Sequence, residues 1–366
     1  MLPTSPLMAS NANFIRLGTR LSWLVIAFLW LMAALVKWVG TDGPLIAPLV
    51  YAPKLFPGLG FVVIAILGWR WEKTQLAGAG LVSAMLWFVP VLEWRPPGPT
   101  LVASGKTLSV LTCNRGQNDG HTLGGWMLHR QPDVMVFQDA FAPDAYVMDA
   151  ADYVFFPHQR RVGEHVLLSR HPILAAAPAD REAMIRRGSN WHYLPAVRFV
   201  VDWEGVSVVV WSIHVRSPRD QFRNDRGRLR QRLGLPISPQ DAAAIQSVDW
   251  GGSYWDEQRL SVEALLELIH ADAQPTVIAG DWNIPDVGPL YWKLTKRLAD
   301  AHREAGSGYG YTFPGDLNWW AAFGQPWLRI DYVLTDHHWR PLTCEVEPSP
   351  EGSQHHALFA ELEFRP

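Results

Sequence analysis

Cysteine is almost missing from this chain: Cys113 and Cys344 are the two present in 366 residues. There is no CxxC pair and no zinc-type Cys/His spacing, which excludes zinc ribbons, zinc fingers and any disulfide framework. Each thiol lies in or near an apolar, strand-like run, so two separate buried thiols are expected. Charge is scarce too, at 18% against 48% hydrophobic residues. Residues 21–36 and 74–92 carry none, and residues 43–69 carry only Lys54. A basic excess is also lacking. Seven Lys/Arg and three Asp/Glu precede residue 96, which leaves 25 basic and 32 acidic residues behind them, a net of −7. Phosphate contacts supply most non-specific affinity for nucleic acid, so this larger part is not a generic nucleic-acid binder.

The uncharged runs dominate the front of the chain. A membrane-spanning helix needs about 20 mostly apolar residues. That predicts three spans, at residues 21–40, 55–69 and 74–93, with residues 43–54, broken by Pro44, Pro48 and Pro53, lying at the interface. Buried core helices would show a polar stripe, and these runs show none. A cleaved signal peptide is disfavoured by the length of the first run and by the two that follow. Arg16, Arg20, Arg70 and Lys73 fall on one side, Lys37, Lys54 and Arg95 on the other. The positive-inside bias then puts the N-terminus in the cytoplasm. The expectation is a multi-pass protein of the cell (inner) membrane, with its C-terminal domain on the periplasmic or extracellular face. Residues 1–95 are the membrane region. Pro96-Pro97-Gly98-Pro99 opens a stiff linker over 96–105, and residues 106–366 form the second domain.

In that domain β-rich runs alternate with helical stretches. Strands are predicted at 107–112, 134–138, 165–169, 196–202, 206–213, 275–279, 329–335 and 357–364, and a helix at 259–271. So many strands with few helices suggest two packed sheets with helices outside. Residues 215–257 lack strand character and hold Arg216, Arg219, Arg223, Arg226, Arg228, Arg230 and Arg232. Two readings stand: a solvated surface helix balanced by Asp220 and Asp225, or a flap that gathers anions. Trp250, Trp255, Trp282, Trp319, Trp320 and Trp327 are open to two readings as well, interfacial contact or packing.

Polar residues punctuate the strand ends. In VIAGDWN an apolar strand stops on Asp281 and Asn283, two residues apart and so on one side of the strand. Asn114 follows LSVLTC, Gln138-Asp139 follows VMVF, and His214 follows VVVWSI. Asp331 lies inside RIDYVLT, and Ser353-Gln354-His355-His356 precedes the last strand. Singly, each has a plain alternative: a turn asparagine, a strand exit, a packing histidine, a structural Arg–Asp pair on an edge strand. Jointly they suit metal-assisted phosphoester hydrolysis, which requires a hard cation, a water-orienting base and donors for the developing charge. Mg²⁺ accepts one or two carboxylates plus an amide, so Asn114 and Asp139 fit as ligands. Asp281 fits as the base, with Asn283 holding it or the phosphate. His214 and His355 can donate to phosphoryl oxygens, and Asp331 can fix the His355 tautomer and raise its pKa.

The segments LSVLTCN, VMVFQDA, GEHVLLSRHPI, VVVWSIHVRSPR, VIAGDWNIP, GYTFP with RIDYVLTD, and SQHHALFAEL occur in this order. The set resembles the endonuclease/exonuclease/phosphatase superfamily of DNase I-like fold, over roughly residues 106 to 365. A membrane bundle placed before such a domain resembles a bacterial, membrane-anchored subgroup. The resemblance implies an α/β (α+β) fold, a four-layer α/β/β/α sandwich, and Mg²⁺- or Mn²⁺-dependent cleavage of phosphoesters. It implies metal binding by Asn114 and Asp139 and at the position of Gln354. It also implies water activation by Asp281, phosphate contact by Asn283 and His214 with Arg216 nearby, and support of His355 by Asp331. Three departures stand out. Asp139 replaces Glu, Trp282 replaces Phe, and Gln354 replaces an acid, keeping an acceptor oxygen but losing the charge. The Ser-x-His register favours His355 over His356. The expected function is a membrane-anchored phosphodiesterase, nuclease or phosphatase acting on a lipid-derived, nucleotide or nucleic-acid phosphoester, with the bilayer as partner and no protein partner inferable. The alternatives are a weakened member (Gln354) serving as a tethered binding or scaffold module, and a cytoplasmic nuclease of reversed topology.

Overall fold

The Val- and Leu-rich runs become strands because β-branched and large apolar side chains pack well on a pleated, buried surface. The computed structural model describes residues 6–43, 45–99, 101–116, 130–140, 155–186, 194–247, 254–315, 325–348 and 353–366. The strands are β1 (Thr107–Asn114), β2 (Val134–Gln138), β3 (His158–Val162), β4 (His165–Ser169), β5 (Ile173–Pro178), β6 (Ala196–Trp203), β7 (Val206–His214), β8 (Thr276–Asp281), β9 (Ala299–Asp300), β10 (Asp331–Thr335), β11 (Trp339–Glu347) and β12 (Ala357–Phe364). They form two six-stranded sheets, ordered β11-β12-β1-β2-β4-β3 and β5-β6-β7-β8-β10-β9. The inner faces meet through Val110, Val134, Val136 and Leu167 on the first sheet and Phe199, Val210, Val277 and Val333 on the second.

Helices α1 (Pro6–Trp38), α2 (Ala47–Val50), α3 (Leu55–Arg70) and α4 (Thr74–Leu86) precede the sheets. Within the sandwich lie α5 (Arg181–Arg186), α6 (Arg219–Arg232), α7 (Pro239–Ser247), α8 (Tyr254–His270), α9 (Pro289–Leu294) and α10 (Ala301–Ala305). Val262, Leu265 and Ile269 of α8 pack with Leu290 and Tyr291 of α9 on the outer face of the second sheet, against Trp211, Ile278 and Tyr332. On the outer face of the first sheet, Ala140 and Phe156 join Leu111, Phe137 and Leu168. The described residues therefore give three of the expected four layers. Cys113 and Cys344 are free and buried, as expected.

Every strand absent from the sequence reading is a sheet edge: β3 and β11 in one sheet, β5 and β9 in the other. An edge is half-buried and carries charge, proline or small residues to prevent further pairing. So β3 reads HQRRV, β5 reads ILAAAP, and β11 carries Pro341 at a register shift. The plain alternative for RIDY, an Arg–Asp pair on an edge strand, does not hold: Arg329 pairs with Asp286 and Asp300, and β10 starts at Asp331 in the sheet interior.

At the front, residues 13–38 of α1 are long and apolar enough to cross a membrane. Helices α3 and α4 are apolar but shorter, at 16 and 13 residues. At about 1.5 Å per residue the first of these is about 24 Å long, less than the ~30 Å hydrocarbon core. Among the described residues, one helix, not three, thus meets the length criterion. The front segment packs directly on the sheet domain. Arg95 and Gly308 exchange backbone hydrogen bonds, Trp38 meets Trp292 edge-on with ring centroids 5.2 Å apart, and Ser104 and Gly105 donate to Glu363.

Arg329 closes this junction. It is buried, bonded to Asp286 (3.2 Å), Asp300 (2.5 Å) and the Tyr291 hydroxyl (3.1 Å), with Glu93 of the front segment 4.0 Å away. Lys54 reaches Asp286 from the other side at 3.5 Å. Removing one partner of a buried ion pair strands the others, at a cost of about 3–5 kcal/mol. Arg329→Met should lose stability of that order in thermal or denaturant unfolding of the detergent-solubilised chain. Unfolding unchanged from wild type would refute the role given to this cluster.

Candidate active site

Strand register gathers the site. In the parallel pair β7–β8, His214 lies opposite Asp281, and in the antiparallel pair β8–β10, Asp331 lies opposite Asp281. The three therefore form one row across adjacent strands at one end of the second sheet. At the same end of the facing sheet Asn114 lies opposite Gln138, and Asp139 follows. Gly280 is required here. Its φ is +141°, and a Cβ would stand 2.1 Å from the Ile213 carbonyl oxygen. Asp139 and Asn283 both turn the chain with positive φ, 53° and 49°, which Asp and Asn tolerate better than most residues. Before β12, the Ser353 hydroxyl donates to the Asn114 carbonyl (2.6 Å) and accepts from the His355 amide (3.0 Å), tying the loop to β1.

Asp281 is the hub, 1% exposed. Its Oδ2 accepts from Asn114 Nδ2 and Asn283 Nδ2, both at 2.9 Å, and its Oδ1 from the Asn283 amide at 2.8 Å. Two imidazoles flank it, His214 Nε2 and His355 Nε2, each 3.8 Å from Oδ2. Each imidazole is backed by a carboxylate: His214 Nδ1 meets Glu164 at 2.9 Å, and His355 Nδ1 meets Asp331 at 2.9 Å.

These contacts set the proton affinities. Burial, followed by the charge of Asp331, raises the Asp281 pKa above the ordinary carboxylate value, and the two imidazoles only partly oppose this. Burial alone would lower His214. The hydrogen bond and charge of Glu164, with Asp281 and Asp139 adding, overcome it and raise His214 to about 9. Burial likewise opposes protonation of His355, and the charges of Asp331 and Asp281 overcome it and raise its pKa.

A cleft of about 630 Å³ opens here. Asn114, Asp139, His214, Arg216, Asp281, Asn283, Gln354 and His355 all line it, and Asp331 stands behind His355. Gln354 is exposed, so of the sequence-derived set it is the one at the rim. His356 turns away to the Glu347 carbonyl (3.1 Å). Part of the Arg-rich segment does form a surface helix, α6. There Arg226 pairs with Asp241 and Arg230 donates to the Pro236 carbonyl, while Arg216, Arg219 and Arg223 line the cleft. Trp282 is buried, and Trp327 lines the cleft. Trp250, Trp319 and Trp320 lie outside the described residues.

Sequence reasoning missed Glu164 and Tyr51. Glu164 sits inside a quoted segment, GEHVLLSR, but an acid between a turn glycine and a strand looks like ordinary turn chemistry. Its signal was position, directly before a strand that runs beside VMVFQD. Tyr51 comes from the front segment, and no local pattern connects it to the cleft.

Among the described residues, two groups at this cleft offer ligand atoms lying within 4.8 Å of one another: Asp139, Glu164 and His214, and Asp281, Asp331 and His355. Each joins two carboxylates to one imidazole. Oxygen-rich sets of this kind suit hard divalent cations. The Asp331 Oδ1 is buried without a hydrogen-bond partner, an oxygen still available to a cation or a polarised water.

The model of the Endonuclease/Exonuclease/phosphatase family matches residues 113–355. The chain belongs to this family. Its members typically hydrolyse phosphoesters and usually use divalent metal ions. Among solved structures, an endonuclease/exonuclease/phosphatase from Beutenbergia cavernae is 20% identical, with 70% of this chain and 72% of that chain covered, at a TM-score of 0.41. Sphingomyelinase C from Streptomyces griseocarneus is 20% identical, with 70% and 99% covered, at 0.41. A 3'-5' exonuclease from Neisseria meningitidis is 14% identical, with 70% and 100% covered, at 0.43. No curated protein matches.

The Asp281 pKa carries a stability consequence. A carboxyl whose folded pKa is raised favours folding while protonated and loses that contribution as pH rises through the folded value. Asp281→Asn should therefore be inactive, and with chelator present its stability relative to wild type should rise as pH goes from about 4 to 7, because only the wild type loses stability by ionising there. Its absolute stability also carries the cost of an amide NH2 turned onto the donors of Asn114 and Asn283. A stability difference that does not change with pH over that range would contradict this account.

Proposed function

We propose that the chain is a membrane-anchored, metal-dependent phosphoester hydrolase acting by in-line attack of water on phosphorus. The single observation that carries this reading is the arrangement around Asp281, one buried carboxylate between two carboxylate-backed imidazoles. Asn114, Asp139 and Glu164 would hold Mg²⁺ or Mn²⁺, which supplies charge neutralisation at the phosphoryl oxygens. Gln354, at the rim, offers a neutral oxygen at most. Asp281 orients the water and accepts its proton, and its raised pKa suits a base working near neutrality. Asn283 fixes that carboxylate through its amide and side chain. His214 and His355, whose pKa values their carboxylate partners Glu164 and Asp331 raise, donate Nε2–H to phosphoryl or leaving oxygen. Arg216, Arg219 and Arg223 draw the anion in.

The apolar helix over residues 13–38, with α3 and α4 beside it, supports a membrane region over 1–95, a linker over 96–105 and a catalytic domain over 106–366. We read this as the bacterial, membrane-anchored arrangement, multi-pass in the inner membrane with the cleft on the periplasmic or extracellular face. A net of −7 behind residue 95 disfavours nucleic acid, so among lipid-derived, nucleotide and nucleic-acid phosphoesters the lipid-derived class is preferred.

Purified full-length chain in detergent should hydrolyse bis(p-nitrophenyl) phosphate with Mg²⁺ or Mn²⁺ and stop on chelation. Asp281→Ala or His355→Ala should lower kcat by about a thousandfold or more. Wild-type turnover by Asp281→Ala would sink the reading, and activity appearing only in Gln354→Asp would favour the binding-module alternative. In spheroplasts, added protease should digest the catalytic domain. Protection until the membrane is permeabilised would place it in the cytoplasm.

A further inference from the structure

The front segment does more than sit against the catalytic domain, because one of its side chains lines the catalytic cleft. Tyr51 follows α2 and stands among Asn114, Asp281, Asn283 and His355 as a lining residue. Its hydroxyl donates to the Asn283 carbonyl at 2.9 Å. Gln258, 1% exposed, donates to the same carbonyl at 3.2 Å and approaches the Tyr51 hydroxyl at 3.4 Å. It also reaches the Tyr254 hydroxyl at 3.3 Å, which donates to the Arg216 carbonyl at 2.6 Å. One buried chain of hydrogen bonds therefore runs from Tyr51 behind two cleft residues. Burial raises the Tyr51 pKa, so the phenol remains a donor throughout the working pH range.

Asn283 needs such support. It holds Asp281 through two bonds from a positive-φ backbone, a conformation that costs free energy unless its surroundings fix it. The ring of Tyr51 is fixed in turn. It meets Phe222 at 5.5 Å and Trp255 at 5.9 Å between ring centroids, and Trp327 Nε1 donates to its carbonyl at 3.2 Å. Tyr51, Phe222, Phe313 and Trp327 give the cleft an aromatic wall, and Arg216, Arg219 and Arg223 give it a cationic one.

We propose that Tyr51 is an active-site residue supplied by the membrane-proximal segment: its hydroxyl positions Asn283 behind Asp281, and its ring forms part of a subsite for an apolar or aromatic group esterified to the phosphate. This rests on the hydrolase reading above. It means that the domain beginning near residue 106 has a complete cleft only with residues 47–54 docked. The phosphate faces charge, and the group it carries faces aromatic rings.

Two diesters with the same p-nitrophenolate leaving group separate the two roles: bis(p-nitrophenyl) phosphate and methyl p-nitrophenyl phosphate, each assayed with full-length chain in detergent and Mn²⁺. Tyr51→Phe should lower kcat on both by about three- to tenfold, the weight of one hydrogen bond, with KM within about twofold. Tyr51→Ala should in addition raise KM for the bis-aryl diester by about fivefold or more while leaving that of the methyl diester within about twofold. Trp38→Ala loosens docking, since Trp38 meets Trp292. Any kcat it loses should fall on both diesters alike, without the selective KM rise of Tyr51→Ala. Two results overturn the proposal: wild-type kcat in Tyr51→Phe, or an equal KM change on both diesters in Tyr51→Ala. Wild type that cleaves neither diester overturns the hydrolase reading and this inference together. Wild type that cleaves both, with silent Tyr51 variants, overturns this inference alone.

Discussion

A carboxylate taken out of water must be surrounded by donors and cations, or it protonates. Asp281 lives under that constraint, and its partners come from separate parts of the chain: Asn114 at the end of β1, His214 at the end of β7, His355 before β12 and Asn283 beyond its own strand. The first and third belong to one sheet and its loop, the second to the other sheet. The two sheets must therefore stack with their polar ends level. A second polar layer reinforces this. Gln138 Nε2 donates to the Ser212 hydroxyl across the sheets at 3.2 Å, and His165 Nδ1 meets the same hydroxyl at 2.8 Å. Burial lowers His165 to about 4, so it stays neutral. Its neighbour Glu164 is then the residue that carries charge to His214.

What the sequence made legible follows from burial. Central strands are apolar on both faces, so β1, β2, β4, β6, β7, β8, β10 and β12 stood out. The four edges did not, because an edge has to look unlike a strand to remain unpaired. The polar row at the cleft was legible for a related reason. A strand that is apolar up to its last residue and then ends on Asp, Asn or His breaks its own pattern, and Asn114, His214 and Asp281 each do so. Glu164 precedes its strand, in a turn where acids are common, and made no such break. In RIDY the Arg and Asp are two apart and would share a face along a strand. The strand begins only at Asp331, however, so Arg329 lies before it and turns to Asp286 and Asp300, while Asp331 meets His355.

The front segment was readable as apolar helix but not as part of the cleft, since hydropathy reports where a segment prefers to be and nothing about what its loops touch. The contacts that join it to the sheets are polar and buried: Lys54 with Asp286, Glu93 near Arg329, Tyr51 with Asn283. Non-specific apolar collapse would tolerate several docking angles. Directional bonds to buried partners tolerate one, because a shifted docking would strand charges in the interior. The cleft therefore faces one fixed direction relative to α1.

Charge within the cleft gives a last argument about the departures from the family pattern. The two ligand groups contain Asp139, Glu164, Asp281 and Asp331 against His214 and His355. Four carboxylates and two imidazoles thus share one end of the sandwich without any acid at position 354. A further acid there would add to the repulsion an anionic ligand meets, whereas glutamine keeps an acceptor oxygen without the charge. The replacement leaves both carboxylate–imidazole groups whole, and the cleft arginines, two of which already lie beside Asp220, gain no second carboxylate competitor.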